Sequence, residues 1–454
     1  MRFVATATCA LLLLVGSASG IAAAQPPPIP QPGSPNFLPD VQRWIDVILP
    51  PPLPTTGDPT DPDAAATDLA ALRAAVLPSP VGDSLFDEWP ANLADFAPGE
   101  VITTRDVTAT AAPLTLIPIR QATQLKFRTE DALGAPSFAT ATLLVPATDW
   151  TGPGDRPVLV NNLPIDALGQ ACTPGYTFSH GLNFHTSTTE FIPPTTQLAA
   201  LRGYAVLIPD HQGPRMAYAE PYVAGHAVLD SIRAVRGYDP TSFGSSRFAM
   251  HGYSGGAIAT NGAAKLLGSY APELADVVVG AAYGGVPADF EVLSRSMNAN
   301  LASGIFMAAV FAIGRERTEI LAAMNNLAQW VATSPMKDQC ASVFAIPGIA
   351  QLPIDIGANI VDPLHSDLAK SIYEITRMSG MAAVTPLYIY NGEQEWWIPA
   401  AGARNLYNEQ CALGANAVYR SVFGEHIIAA AVGYPEAMLW LDERLQGVPA
   451  RSEC

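Results

Sequence analysis

The stretch Phe248-Ala249-Met250-His251-Gly252-Tyr253-Ser254-Gly255-Gly256-Ala257-Ile258 decides how the rest of the chain is read. Its centre, Gly252-Tyr253-Ser254-Gly255-Gly256, fits the pattern G-x-S-x-G. An apolar strand signal at 248–250 precedes it, and a helix rich in small residues, 255–267, follows. A strand that turns this sharply into a helix forces the serine into a strained backbone conformation. Glycines on either side avoid collisions with neighbouring elements. The turn lifts the Ser254 hydroxyl above the sheet and aims the N–H of Gly255 at a developing oxyanion. A glycine-rich strand–helix junction with a chance serine shares the pattern but not this context. A phosphate-cradling loop fits less well, because Lys265 lies too far along to act as a P-loop lysine.

Working outward, short apolar runs alternate with helical periodicity from about residue 100 onward. That alternation predicts an α/β fold, a mainly parallel sheet flanked by helices. Strands are predicted at 138–145, 157–160, 204–208, 248–250, 277–279, 386–390 and 417–422. Between them, 222–236 predicts a helix whose Val223, Ala227, Leu229, Ile232 and Val235 form one broad apolar face. The alternation stops between 287 and 378, where the chain reads as several helices. This insertion is the predicted cap, dividing the core into a first part at 63–286 and a second at 379–454.

The chain of 454 residues carries 41 Asp+Glu against 24 Lys+Arg, a formal net charge of −17. That balance argues against nucleic acid or an anionic membrane surface as a partner, since both require a field of Lys and Arg. With 14% charged and 49% hydrophobic residues, it is too apolar for a disordered chain. Arg2, the run Leu11-Leu12-Leu13-Leu14-Val15 and Ala22-Ala23-Ala24 before Gln25 form a signal peptide, 1–24, cleaved after Ala24. The mature protein is therefore expected to be secreted, with no transmembrane segment. Residues 25–62 are crowded with proline and read as an extended arm or spacer with a short helix at 41–49. Past the leader stand Cys172, Cys340, Cys411 and Cys454, which make two disulfides in one of three connectivities. Their spacing does not suit zinc, and no metal or organic cofactor is expected.

A serine hydroxyl is a poor nucleophile near neutral pH and needs a base, which in turn needs an orienting acid. The α/β-hydrolase chain order is serine, acid, histidine. Only His365 and His426 follow Ser254. His365 falls inside the predicted cap, whereas His426 follows the last strand and precedes a final helix, so His426 is the expected base. His180, His185, His211, His226 and His251 precede the serine and read as structural or site-lining. The acid belongs after the strand 386–390, in Asn391-Gly392-Glu393-Gln394-Glu395-Trp396-Trp397. That turn offers Glu395 and Glu393 and no aspartate, with Glu395 the first choice.

Several further motifs resemble the secretory lipase family typified by Candida antarctica lipase A. They are Asp210-His211-Gln212-Gly213, the elbow itself, Ser269-Tyr270-Ala271-Pro272-Glu273-Leu274, and Gly284-Gly285 followed by Pro287. Near the end come Glu409-Gln410-Cys411-Ala412-Leu413-Gly414-Ala415-Asn416 and Glu425-His426. The resemblance spans about 157–454, is weakest in the cap and is absent from the arm. It implies an α/β-hydrolase fold with an inserted helical cap and hydrolysis of ester or lipid substrates by Ser254, Glu395 and His426. The family carries Asp where this chain has Glu395. The resemblance further implies oxyanion donors at Asp210 and Gly255, and the pairings Cys172–Cys340 and Cys411–Cys454. Under this reading, triacylglycerol hydrolysis is weighed against a carboxylesterase or acyltransferase for smaller or cell-wall esters. A non-catalytic binding scaffold is the alternative from another class. In the cap, Leu301, Ile305, Phe306, Met307, Val310, Phe311 and Ile313 surround nearly all sides of one helix. Such a helix either shields an acyl-chain tunnel or meets a lipid–water interface, or packs as core between cap and sheet.

Overall fold

The computed structural model describes residues 27–55, 62–183, 186, 194–344 and 348–454, so the signal peptide expected at 1–24 lies outside the described residues. Nine strands form one sheet: β1 (Val101–Asp106), β2 (Ile119–Glu130), β3 (Pro136–Pro146), β4 (Val158–Asn162), β5 (Ala205–Pro209), β6 (Phe248–Tyr253), β7 (Val278–Gly284), β8 (Leu387–Gly392) and β9 (Ala417–Val422). Their spatial order is β1-β2-β3-β5-β4-β6-β7-β8-β9. Pairing is antiparallel from β1 through β3 to β5 and parallel from β5 onward. This is the predicted mainly parallel sheet with an antiparallel edge. Strands β1 and β2 have no counterpart in the sequence reading.

Strands β4, β5 and β6 are buried along their whole length, which is why their sequences run apolar without alternation. The helices used below are α1 (Phe37–Ile48), α2 (Pro62–Val76), α3 (Pro221–Tyr238), α4 (Gly255–Tyr270), α5 (Phe290–Met297), α6 (Ser303–Glu316), α7 (Asn326–Thr333), α8 (Asp367–Arg377) and α9 (His426–Leu445). Helices α3 and α4 cover one face of the sheet, where Val228, Ile232, Ala263 and Leu267 share a core with Leu207 and Met250. They approach closely because Gly225 faces Gly262; a Cβ on Gly225 would stand 2.7 Å from the Gly262 carbonyl carbon. Helix α9 covers the other face through Ala437, Met438 and Leu441.

Between β7 and β8 the chain leaves the sheet for α5 to α8, which bury a core of their own around Leu293, Phe306, Phe311, Phe344 and Ile372. Helix α2 joins that core through Leu72 and Val76, so the start of the predicted first core part packs with the insertion. On α6, Phe306, Phe311 and Ile313 are buried, Ile305, Met307 and Val310 are half-buried, and Leu301 just before it is exposed. The arm is not extended throughout: 37–48 is helix, with Gln42 and Ile45 buried. Disulfides join Cys172 to Cys340 and Cys411 to Cys454. The first ties the loop after β4 to the cap across a sequence separation of 168. A closure of that length restricts the unfolded chain by about 4–5 kcal/mol in the chain-entropy account. No helix among the described residues is long and apolar enough to cross a membrane.

Candidate active site

Strand β6 runs straight into Ser254, whose backbone sits at φ 56° and ψ −123° before α4 begins. This left-handed conformation costs on the order of 1–3 kcal/mol for a residue with a side chain. The surroundings enforce it. The Ser254 N–H donates to the Gly284 carbonyl at 3.0 Å, and the Ser254 carbonyl accepts from Ala257 at 2.9 Å as the helix starts. A Cβ on Gly252 would meet the Gly256 carbonyl at 2.2 Å, and one on Gly256 would meet the Asn162 carbonyl at 1.9 Å. The glycines of the motif are therefore steric requirements of a strand, a turn and a helix folded onto each other.

His426 opens α9, which Glu425 caps by accepting the N–H groups of Ile427 and Ile428. The Nδ1 of His426 lies 2.7 Å from Oε2 of Glu395, with side-chain exposures of 3% and 0%. The other oxygen, Oε1, accepts the Ile398 N–H at 3.2 Å, which fixes the carboxylate in its turn. Glu393 instead is exposed and accepts from the Ser421 hydroxyl at 3.1 Å. Of the two candidate acids, Glu395 is the one that reaches the imidazole. A carboxylate on Nδ1 makes that nitrogen the protonated one and leaves Nε2 to act as base. The ring is steadied by Trp397, edge-on at 4.5 Å, and by Tyr253, whose hydroxyl donates to the His426 carbonyl at 2.6 Å. It also stands beside the elbow, since a Cβ on Gly285 would lie 2.8 Å from His426 Cε1. Among the described residues no hydrogen bond links Ser254 Oγ to His426. Such bonds are often long in a free enzyme and tighten with substrate.

Asp210 requires a correction. It extends β5 beside β3, and its N–H already donates to the Thr140 carbonyl at 2.9 Å. Its carboxyl accepts from the Thr140 hydroxyl and, at 2.8 Å, from the Gly175 N–H. Nothing remains on its backbone to offer an oxyanion. The residue that the sequence reading missed is Asp166. Strand β4 pairs with β6 in a register that sets Asn162 against Gly252, so Leu163-Pro164-Ile165-Asp166 passes directly over the elbow. Asp166 sits at φ 47°, and a Cβ on Gly255 would lie 1.7 Å from its Oδ1. Among the described residues, neither the N–H of Asp166 nor that of Gly255 donates a backbone hydrogen bond. His211 holds this loop through Nε2, 2.9 Å from the Leu163 carbonyl. Burial pushes the His211 imidazole down to about 4, so it stays neutral.

The remaining histidines stand apart from this arrangement. His251 is buried in β6, 3.4 Å from Asn161 Oδ1, and burial lowers it to about 3. His226 packs against Tyr270 at 4.3 Å, His180 stacks on Tyr176 at 3.9 Å, and His365 pairs with Asp362 on the cap surface. His185 lies outside the described residues. Among the described residues no three His, Cys, Asp or Glu side chains are placed to hold a metal ion.

Ser254 opens onto a cavity of about 130 Å³ lined by Asp166, Ile258, Leu293, Met297 and Trp397 among others. A second cavity of about 270 Å³ lies inside the cap, lined almost entirely by apolar side chains. The two share Phe290, Phe306 and Ala309 as a common wall.

The sequence profile of the secretory lipase family matches residues 179–453, more than half of the chain. The chain is 28% identical to a probable inactive lipase of Mycobacterium tuberculosis over 83% of its own length and 85% of that protein's. It is likewise 28% identical to a trichothecene C-3 esterase of Fusarium sporotrichioides, over 82% of its own length and 86% of the relative's. Among solved structures, Candida antarctica lipase A in its closed state superposes with a TM-score of 0.73 at 25% identity, covering 84% of this chain and 89% of that one. The chain belongs to the secretory lipase family, and its fold is that of the α/β-hydrolases.

Proposed function

We propose that this secretory lipase family member is an exported carboxylic ester hydrolase that acts on acyl glycerides through an acyl-enzyme on Ser254. The observation that carries the proposal is the buried 2.7 Å pair of His426 and Glu395 set beside a serine held at φ 56°. His426 Nε2 takes the hydroxyl proton as Ser254 Oγ attacks the ester carbonyl carbon. The tetrahedral oxyanion accepts from the N–H of Gly255 at the start of α4, where the helix dipole adds to its effect, and from that of Asp166 in the loop after β4. One such donor is worth about 3–4 kcal/mol to the transition state. The carbon–oxygen bond then breaks and the alcohol leaves with the proton from His426. Water repeats the attack, giving its proton to His426, and the acid departs as Ser254 recovers its own.

The apolar cavities favour a long acyl chain, seated beside Ile258 and Met297 and continuing past Phe306 into the cap. Exposed Leu301, Trp330 and Leu352 on the cap give it an apolar surface for an emulsified substrate. Export fits the leader and the two disulfides, which persist in oxidising surroundings. The test is hydrolysis of emulsified long-chain glycerides against soluble short-chain esters by wild type and Ser254→Ala. The expected result is glyceride turnover lost in the variant. The small volume at Ser254 itself favours a second reading, an esterase for short acyl groups. Turnover of short esters alone would select that reading.

A further inference from the structure

The cavity inside the cap has two walls from distant parts of the chain. One is α7, through Leu327, Ala328 and Val331; the other is the stretch 352–360, through Leu352, Ile354, Ile356 and Ile360. The second wall contains one 3-10 turn, Ile354–Gly357, and is paired to the residues just before α7 by the Met324–Ala358 bridge and the Asn325 N–H on the Gly357 carbonyl. A segment with so few backbone hydrogen bonds of its own depends on what packs against it. Helix α1 lies across both walls. Gln42, 4% exposed, donates from Nε2 to the Asp355 carbonyl at 2.7 Å and to the Ile360 carbonyl at 3.2 Å. One turn later Asp46 Oδ1 accepts the Asn326 N–H at 2.8 Å, at the first residue of α7. Asn326 Nδ2 reaches the Leu49 carbonyl at 2.7 Å, and Trp330 Nε1 reaches the Pro50 carbonyl at 2.8 Å. Gln42, buried Ile45, Asp46 and Leu49 share one helical face by their spacing.

We infer that 37–50 is a strap that joins the 352–360 wall to α7 and thereby makes the chain selective for long acyl groups. The inference rests on the cavities being the acyl site of an ester hydrolase. An acyl chain long enough to enter the cap touches Ile354, Ile356 and Ile360 and binds best when that wall is fixed. A short acyl group ends in the cavity beside Ser254 and never reaches it. The strap sorts substrates by length without touching the reacting atoms.

The experiment compares kcat/KM for p-nitrophenyl palmitate and p-nitrophenyl butyrate in the full chain, in wild type, Gln42→Leu and Asp46→Ala. These two variants release opposite walls and leave Ser254, Glu395 and His426 in place. Losing the hydrogen bonds of Gln42 is expected to lower the palmitate value about fivefold, with butyrate held within about twofold. Asp46→Ala is expected to show the same split. No change, an equal fall on both esters, or a gain on palmitate overturns the strap. A wild type that cleaves neither ester contradicts the hydrolase reading instead. Displacement of a fluorescent long-chain fatty acid by palmitate then decides the strap. Weaker palmitate binding in Gln42→Leu supports it, and unchanged binding overturns it.

Discussion

Two loops leave neighbouring strands at the same end of the sheet, one after β4 and one after β5, and each carries an aspartate, half-buried at Asp166 and buried at Asp210. Burial pushes the carboxyls of Asp166 and Asp210 both up to about 7. Their hydrogen bonding separates them. Asp210 continues an antiparallel ladder with β3, so its backbone and both carboxyl oxygens are fastened to Thr140 and Gly175. Asp166 follows a strand whose parallel partner is the elbow strand itself, and its Oδ1 has no hydrogen-bond partner. The same side chain, raised by burial in two adjacent loops, thus meets two different sets of partners. The neighbour in the sheet decides whether a loop is fastened to a ladder or left facing the elbow.

The comparison can be broken most forcefully with Gly255→Ala. The added carbon would stand 1.7 Å from Asp166 Oδ1, so the Asp166 carboxyl must give way beside the elbow. We expect kcat to fall about 10²–10³-fold, as for loss of one oxyanion donor. The disulfide is next, because it fastens only the loop after β4. Replacing Cys172 and Cys340 together by Ala should lower stability by about 4–5 kcal/mol in denaturant unfolding. Gly175→Ala probes the other loop, with its Cβ 2.1 Å from Asp210 Oδ2. Overpacking there should cost about 1–3 kcal/mol in stability while kcat per active enzyme stays near wild type. A loss of kcat as large as that of Gly255→Ala would erase the distinction between the loops. The last test concerns pH. Asp166 has a folded pKa raised to about 7, so its contribution to stability is complete below its unfolded value of about 4 and is lost as pH rises through about 7. Asp166→Asn should flatten the fall of the unfolding free energy across that window, by on the order of 1 kcal/mol per pH unit.

The parallel half of the sheet was legible because buried strands such as Ala205–Pro209 leave continuous apolar runs. Strand β2 was not, since its inward residues include Thr123, Gln124, Lys126 and Arg128. Those polar groups find partners: Gln124 bonds the Gly175 carbonyl, and the Lys126 ammonium sits 4.0 Å over the Phe138 ring. Burial brings Lys126 down to about 8. Polar satisfaction replaced the alternation that a strand search relies on. Helix α1 was legible as 41–49 but begins four residues earlier, because Pro35 and Pro39 mask its start although proline is tolerated in a first turn. At the site, Ser254, Glu395 and His426 could be found because chain order ranks few candidates. Asp166 leaves no such mark. It is one acid a few residues past a strand, and only the β4–β6 register brings it to the elbow.

The most direct measurement is the rate of fluorophosphonate labelling followed by intact mass. Wild type should take up one label at Ser254, and Ser254→Ala none. Glu395→Gln should react slower by about 10³-fold or more, because the imidazole loses its orienting carboxylate. Glu393→Gln should label at the wild-type rate. An unlabelled wild type, or a Glu395→Gln variant that labels as fast as wild type, would contradict the account.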